Sequence, residues 1–474
     1  MEIDLLVLGR LVVTLDESRP LIEHGAIAID AGRIVAIGPR AEVEPRFQAR
    51  KVIDGGRKAV MPGLIDTHHH FLQNFHKGTR DDLSLLDWID QVSVPRIKVA
   101  VQDFLQGSHG AQIHSSRLGC VDAIRAGITT ILNMEWATHP CVVDVFEQAG
   151  IRVVHTLTMT DQWISPDVLL PHATLYSLAD ALRERCQGSA NGRVTFRYGL
   201  ACPNSCSVEL IREVRRRADR EGVAVHIHIA ETEYEWHNIK SLFGVTPTQH
   251  LHNLGLLGPD VLGAHCIWLS DEDIEIFAKT GTKVAHNPEC NMKIADGVAP
   301  IRKMLEAGIV VSLGTDSCAV NDNMDMFEAM RTAAFLQKVT TMDPRVLPAP
   351  VTLRMATLGG AQALGMDREI GSLALGKKAD LILVDLTGTH MRPINRIENS
   401  LVYCASSHDV ATVICDGRIV MEDHQIQTLD EESWVSGAIA YAQTRFTEAG
   451  IDLPNYFNPL SHGDGAQSHG NGSQ

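Results

Sequence analysis

Val60-Met-Pro-Gly-Leu-Ile-Asp66-Thr-His68-His69-His70 is a short apolar run that ends in a polar cluster. In extended backbone residues i and i+2 point the same way, so His68 and His70 share one face and His69 takes the other. Two imidazoles on one face of a strand can hold a borderline metal such as zinc. The same phrase returns downstream. Ala224-Val-His226-Ile-His228-Ile leads to Glu231, Val261-Leu-Gly-Ala ends at His265, Lys283-Val-Ala ends at His286, and Ile309-Val-Val-Ser-Leu-Gly leads to Asp316. Three more apolar runs, at Thr129–Asn133, Val153–Leu157 and Val194–Gly199, fill the gaps, and helix-like segments such as Glu209–Arg220 and Asp271–Lys279 intervene. Eight strand–helix repeats predict an α/β fold, a parallel (β/α)8 TIM-like barrel over residues 61–370 whose strand ends converge on one rim.

Outside that stretch the pattern changes to short strands with tight turns. Leu5–Leu8 and Leu11–Leu15 read as strands, and Ala26–Gly38 reads as a hairpin turning at Asp30-Ala31-Gly32. A similar hairpin, Ala411–Val420 with its turn at Asp416-Gly417, returns late in the chain, and Ala379–Asp385 supplies another strand. The echo predicts that residues 1–60 and 371–430 together build one small β-sandwich domain around the barrel. A helical segment follows over 431–460, and the Gly/Ser/His-rich stretch 461–474 reads as a disordered tail whose two histidines take no metal role.

At 474 residues the chain has room for a barrel of ~250 residues and an accessory domain. Its formal net charge of −16 repels phosphate backbones and anionic lipid, which argues against nucleic acid or membrane as partner. No run of ~18 apolar residues is present, and Met1-Glu-Ile-Asp carries acids where a signal peptide needs bases. The ten cysteines show no framework spacing and no CxxC pair, which predicts reduced, mostly buried thiols and a cytoplasmic protein.

Taken singly, each rim residue has a plain reading. A strand-end His satisfies itself by hydrogen bonding, Asp316 in Gly-Thr-Asp316-Ser reads as an N-cap, His69 as packing, and His226 as support one layer deeper than His228. Five strands sending His, Glu or Asp to one rim exceed what packing requires. Three imidazoles and a carboxylate suit one divalent metal with an open position, which lowers the pKa of bound water from 15.7 to about 7. Asp316 is then the natural proton acceptor, Glu231 the acid that protonates the substrate, and His265 the group that stabilises the addition intermediate.

Pro62-Gly-Leu-Ile-Asp-Thr-His68-His-His70, His228-Ile-Ala-Glu231, Gly263-Ala-His265-Cys, His286-Asn-Pro-Glu-Cys-Asn-Met-Lys, Leu313-Gly-Thr-Asp316-Ser-Cys-Ala-Val-Asn321-Asp322 and the late Ile370–Asp385 phrase resemble the amidohydrolase superfamily. The resemblance is to its mononuclear aminohydrolase branch, with methylthioadenosine/S-adenosylhomocysteine deaminases, guanine-type deaminases and triazine hydrolases. It implies one divalent metal, zinc or iron, held by His68, His70, His228 and Asp316, with Glu231, His265 and Asp316 as catalytic groups. Trp88, in Leu86-Asp-Trp88-Ile, is similar to a Trp that lines the ring pocket, although helix packing explains it equally well. Barrels of this branch often form homo-oligomers, but no interface is readable here.

The substrate is read from departures. Nucleoside deaminases of the branch carry a Gly-Pro-His-Ser-Pro phrase after strand four, where this chain has Gly199-Leu-Ala-Cys-Pro-Asn-Ser-Cys206, and an Arg after strand three, where Thr156-Leu-Thr-Met-Thr160 has none. The triple His followed by Phe71 and Gln73 is closer to guanine-type and triazine enzymes. The expectation is therefore hydrolytic deamination of a small amino-substituted N-heteroaromatic ring, releasing ammonia. A triazine hydrolase expelling chloride or alkylamine, a methylthioadenosine-type nucleoside deaminase, and a non-catalytic scaffold are the alternatives. Dinuclear cyclic-amide hydrolases bridge two metals with a carboxylated Lys on strand four, and Val194–Leu200 contains no Lys.

Overall fold

The chain changes sheets at Gly63. In the computed structural model, which describes residues 1–451, the strand before this glycine belongs to one eight-stranded sheet and the strand after it to another. The expected 461–474 tail, and the end of the expected 431–460 segment, lie outside the described residues.

The first sheet is mixed and is drawn from early and late parts of the chain. It contains β1 (Glu2–Val13), β2 (Leu21–Asp30), β3 (Arg33–Pro39) and β4 (Gln48–Pro62). The second sheet contains β5 (Leu64–His69), β6 (Ile128–Glu135), β7 (Arg152–Met159), β8 (Val194–Leu200), β9 (Val225–Ile229), β10 (Val261–His265), β11 (Lys283–His286) and β12 (Val311–Leu313), in sequential order and all parallel. The chain then returns to the first sheet with β13 (Leu381–Asp385), β14 (Val410–Cys415), β15 (Arg418–Glu422) and β16 (Gln425–Ile426). The order in that sheet is β16-β15-β14-β13-β4-β1-β2-β3, so the late strands join the early ones through the β13–β4 pair.

Two strand readings are corrected. Val60–Pro62 are not the start of the first barrel strand; they end β4, where Val60 pairs with Leu383, and the barrel strand begins at Leu64. Leu5–Leu8 and part of Leu11–Leu15 form one strand, whose pairing with β4 shifts register between Gly9 and Leu11. Both hairpins turn where expected, and their turns meet. Ala379 N donates to Gly32 O (2.9 Å) while Gly417 N donates to Ala379 O (3.0 Å). Ile29, Ile34, Leu381 and Ile414 therefore share one buried core, with the sheet curled around it as in a sandwich.

The barrel closes between β12 and β5. Thr67 Oγ1 donates to Leu313 O (2.9 Å) and Asp316 N to His68 O (2.9 Å), while His69 and Asp316 form a parallel bridge. Asp380, just before β13, ties barrel to sheet. Its buried carboxylate takes a forked pair of bonds from Arg152 on β7, at 3.1–3.3 Å, and accepts from Asp416 N (2.6 Å). The helix Glu431–Glu448 packs Ala438, Ala442 and Phe446 against Phe75 and Val99, behind the segment that follows the triple His. No cysteine pairs with another, seven of the ten are buried, and no helix of the described residues is long and apolar enough to cross a membrane.

Candidate metal centre and active site

Alternation along β5 sends His68 and His70 inward, and the hydrogen bonds of each ring decide which nitrogen it presents. His226 donates from Nδ1 to Leu262 O (3.0 Å), which leaves its Nε2 to accept from His68 Nδ1 (2.8 Å). His70 donates from Nδ1 to Met134 O (2.6 Å), and His228 from Nδ1 to Ala201 O (2.5 Å). Each of the three rings thus keeps a lone pair on Nε2. Burial reinforces this neutral form. It lowers the His68 pKa to about 4 and holds His70 and His228 below the ordinary imidazole value.

The free nitrogens converge on a carboxylate. His68 Nε2 is buried with no hydrogen-bond partner among the described residues, and it faces Asp316 Oδ1 at 3.4 Å. His70 Nε2 faces the same oxygen at 3.6 Å, and His228 groups with His68 and His265. Lone pairs aimed at a carboxylate oxygen repel unless a cation lies between them, so the donor set fits a divalent metal that accepts nitrogen and oxygen. His226, the expected support residue, sits behind His68 and fixes its tautomer.

Asp316 is not a helix cap; Asp325 fills that role for Met326–Thr341 by accepting from Phe327 N and Glu328 N. Its backbone is held at φ +59, and its carbonyl accepts from His70 N (3.3 Å). Ala230 (φ +50) and His265 (φ +67) are also left-handed, so strain collects at the ends of β9 and β10 and beyond β12. Gly314 lets the last strand approach the first: a Cβ there would lie 2.4 Å from Asn287 Oδ1 and 2.9 Å from His68 Cβ.

Beside this cluster, His265 donates from Nδ1 to Asn291 Oδ1 (2.9 Å) and points Nε2 at Glu231 Oε1 (3.4 Å) and Asp316 Oδ2 (3.9 Å). Glu231 is buried, and desolvation, together with the Asp316 and Glu235 carboxylates, pushes its pKa well above the usual range. Trp88, on the short helix Leu85–Trp88, lines the adjoining cleft of about 940 Å³ with its buried Nε1 unpartnered among the described residues. His286 ends its strand as expected but stands outside the metal-holding groups, with both ring nitrogens buried. His69 turns away to Thr315 Oγ1 and Asn74 Oδ1.

Glu235 was not foreseen. It accepts from Ala230 N (2.8 Å) and Glu231 N (3.5 Å), pinning the turn that presents Glu231. Its signal was the Thr232-x-x-Glu235 spacing, in which Thr232 caps the helix Glu233–Phe243. Asn291, the partner of His265, stood unread within the His286–Lys293 motif.

The sequence profile of the Amidohydrolase family matches residues 59–420. The chain belongs to the amidohydrolase family. A shorter match, over residues 25–47, is to a bacterial imidazolonepropionase-like composite domain. This amidohydrolase is 39% identical over 445 residues to a 5'-deoxyadenosine deaminase of Methanosarcina barkeri, covering 94% of this chain and 99% of that one. It is 38% identical over 427 residues to a 5-methylthioadenosine/S-adenosylhomocysteine deaminase of Syntrophobacter fumaroxidans, covering 90% and 95%. Its fold superposes with a TM-score of 0.88 on a crystal structure of an adenosine deaminase from Xanthomonas campestris with bound zinc, at 29% identity, covering 94% and 99%. This amidohydrolase is therefore an enzyme, a hydrolase acting on C–N bonds in amidines, and the scaffold alternative falls away.

Proposed function

We propose that this amidohydrolase deaminates the adenine ring of nucleosides of the 5'-deoxyadenosine and 5'-methylthioadenosine type. The observation that carries the chemistry is the convergence of three unpartnered imidazole Nε2 atoms on Asp316, next to the Glu231–His265 pair, at one end of a Trp-lined cleft. The curated relatives support the nucleoside over the bare ring. That reverses the preference drawn from the loops after strands three and four. The missing Arg and His remove two ways of holding a sugar end, yet the cleft is wider than a single ring requires.

His68, His70, His228 and Asp316 are the residues that would hold the metal, zinc first and iron second. Such an ion supplies Lewis acidity and water activated near neutral pH. Asp316 accepts the proton that water gives up as the new C–O bond forms at the amino-bearing ring carbon. Glu231, held neutral by burial, donates to the ring nitrogen and leaves negative charge off the ring. His265, steadied by Asn291, donates from Nε2 to the growing oxyanion when it carries a proton there. Proton return to the amino group then breaks the C–N bond, and ammonia leaves. Trp88 offers its face, or its free N–H, to the flat heterocycle.

Metal content and ammonia release, measured on zinc-loaded protein, test this. The panel holds 5'-deoxyadenosine, 5'-methylthioadenosine, adenosine, guanine, pterin and amino-triazines, with chloride and alkylamine followed for substituted triazines. Ammonia from the nucleosides, above the bare rings, is expected. Release from guanine or pterin alone restores the bare-ring reading, and chloride or alkylamine alone makes the protein a triazine hydrolase.

A further inference from the structure

Trp163 and Tyr234 are 42% and 43% exposed, and their rings stack at 5.8 Å with 25° between planes. Single exposed aromatics are ordinary; a stacked pair of which one lines the active cleft is not. The two rings come from different rim segments, Trp163 from the loop after β7 and Tyr234 from the helix that follows Glu231. Trp163 has φ +64, a conformation that a bulky side chain adopts only when its surroundings impose it. Those surroundings are defined. Asp161 accepts from Ser207 N (2.8 Å) and His172 Nε2 (2.9 Å), and Gln162 Nε2 donates to Asn204 O (3.1 Å), which clamps the loop to the one after β8.

We propose that Trp163 and Tyr234 form an aromatic lip that seats the 5' end of the nucleoside and selects uncharged, apolar 5' groups. This rests on the nucleoside-deaminase reading above. With the reacting ring carbon at Glu231, His265 and Asp316, the sugar and its 5' substituent extend toward the exposed rings. The cleft lining contributes Glu231, Glu235 and Asp316 as its charged groups and no Lys or Arg among the described residues. Lys98, which reaches this loop, is already paired with Asp167 at 2.7 Å. A methyl or methylthio group at the 5' carbon buries apolar surface against Trp163. A 5' amino-acid chain brings a carboxylate into an acid-lined site that offers it no counter-charge.

The test is steady-state deamination of 5'-deoxyadenosine, 5'-methylthioadenosine and S-adenosylhomocysteine by the zinc-loaded enzyme and by Trp163→Ala, Trp163→Phe, Trp163→Arg and Tyr234→Ala. The wild type should favour methylthioadenosine over S-adenosylhomocysteine by about 100-fold in kcat/KM, the scale of an unpaired buried charge. Trp163→Ala and Tyr234→Ala should each lose about tenfold on the methylthio substrate, carried by KM, with Trp163→Phe retaining most of it. Trp163→Arg should narrow the gap between the two substrates. Equal wild-type turnover of the two, or equal losses on every nucleoside in Trp163→Ala, overturns the lip while leaving the deaminase standing. Ammonia from bare rings and none from any nucleoside overturns the nucleoside reading, and the lip with it.

Discussion

At the scale of single residues, one buried ring decides what another can do. His226 touches none of the proposed reacting groups, yet its bond to Leu262 O forces His68 to present Nε2. His228→Asn is expected to abolish metal binding, whereas His226→Asn should keep the metal with affinity lowered about 10–100-fold. Chelator competition followed by metal analysis separates the two, and equal losses would put His226 among the ligands. Glu231→Gln and Asp316→Asn should each lower turnover by at least ~100-fold. A near-normal rate in either variant, with metal bound, would remove that residue from the proton transfers. The alternation rule made His68, His70, His228, Glu231, His265 and Asp316 legible, since a strand end exposes its polar residues to a rim. Glu235 and Asn291 escaped because their roles are fixed by through-space bonds to a backbone turn and a ring, which no sequence period encodes.

Among the elements, the seam between β12 and β5 is the tightest constraint on the site. Gly314 admits no side chain there without moving His68 or Asn287. Gly314→Ala should cost about 1–3 kcal/mol by overpacking and weaken metal binding at the same time. Urea unfolding and metal titration check both, and a stable variant with full affinity would show that the seam has slack. Most strands were legible because each apolar run ended at a turn or a polar rim residue. The first barrel strand was misplaced by three residues because Val60-Met-Pro-Gly-Leu-Ile is apolar throughout and nothing in it announces a change of sheet. That change is set from far along the chain, where Asp380 O accepts from Gly63 N (3.0 Å). The loops carrying Trp163 and Tyr234 were unreadable for a similar reason, since their positions depend on bonds between loops.

Over the whole molecule, barrel and sheet are joined through a buried ion pair rather than by apolar packing alone. Removing one partner strands the other, so Asp380→Ala should destabilise by about 3–5 kcal/mol, with Arg152 left unpaired. Replacing both Arg152 and Asp380 with apolar residues should recover much of that loss; equal instability in single and double variants would mean that the hydrogen bond to Asp416 N matters more. The route of the chain through the two sheets has a further consequence, for synthesis. β4 leaves the ribosome with β1 on one side and nothing on the other, because its second neighbour begins at Leu381. At ~5–20 residues per second that edge waits roughly 20–60 s, while the barrel emerges strand by strand. The nascent chain thus carries an unpaired edge for most of its translation, and its last hydrogen-bonded join is made by residues translated after the proposed metal ligands.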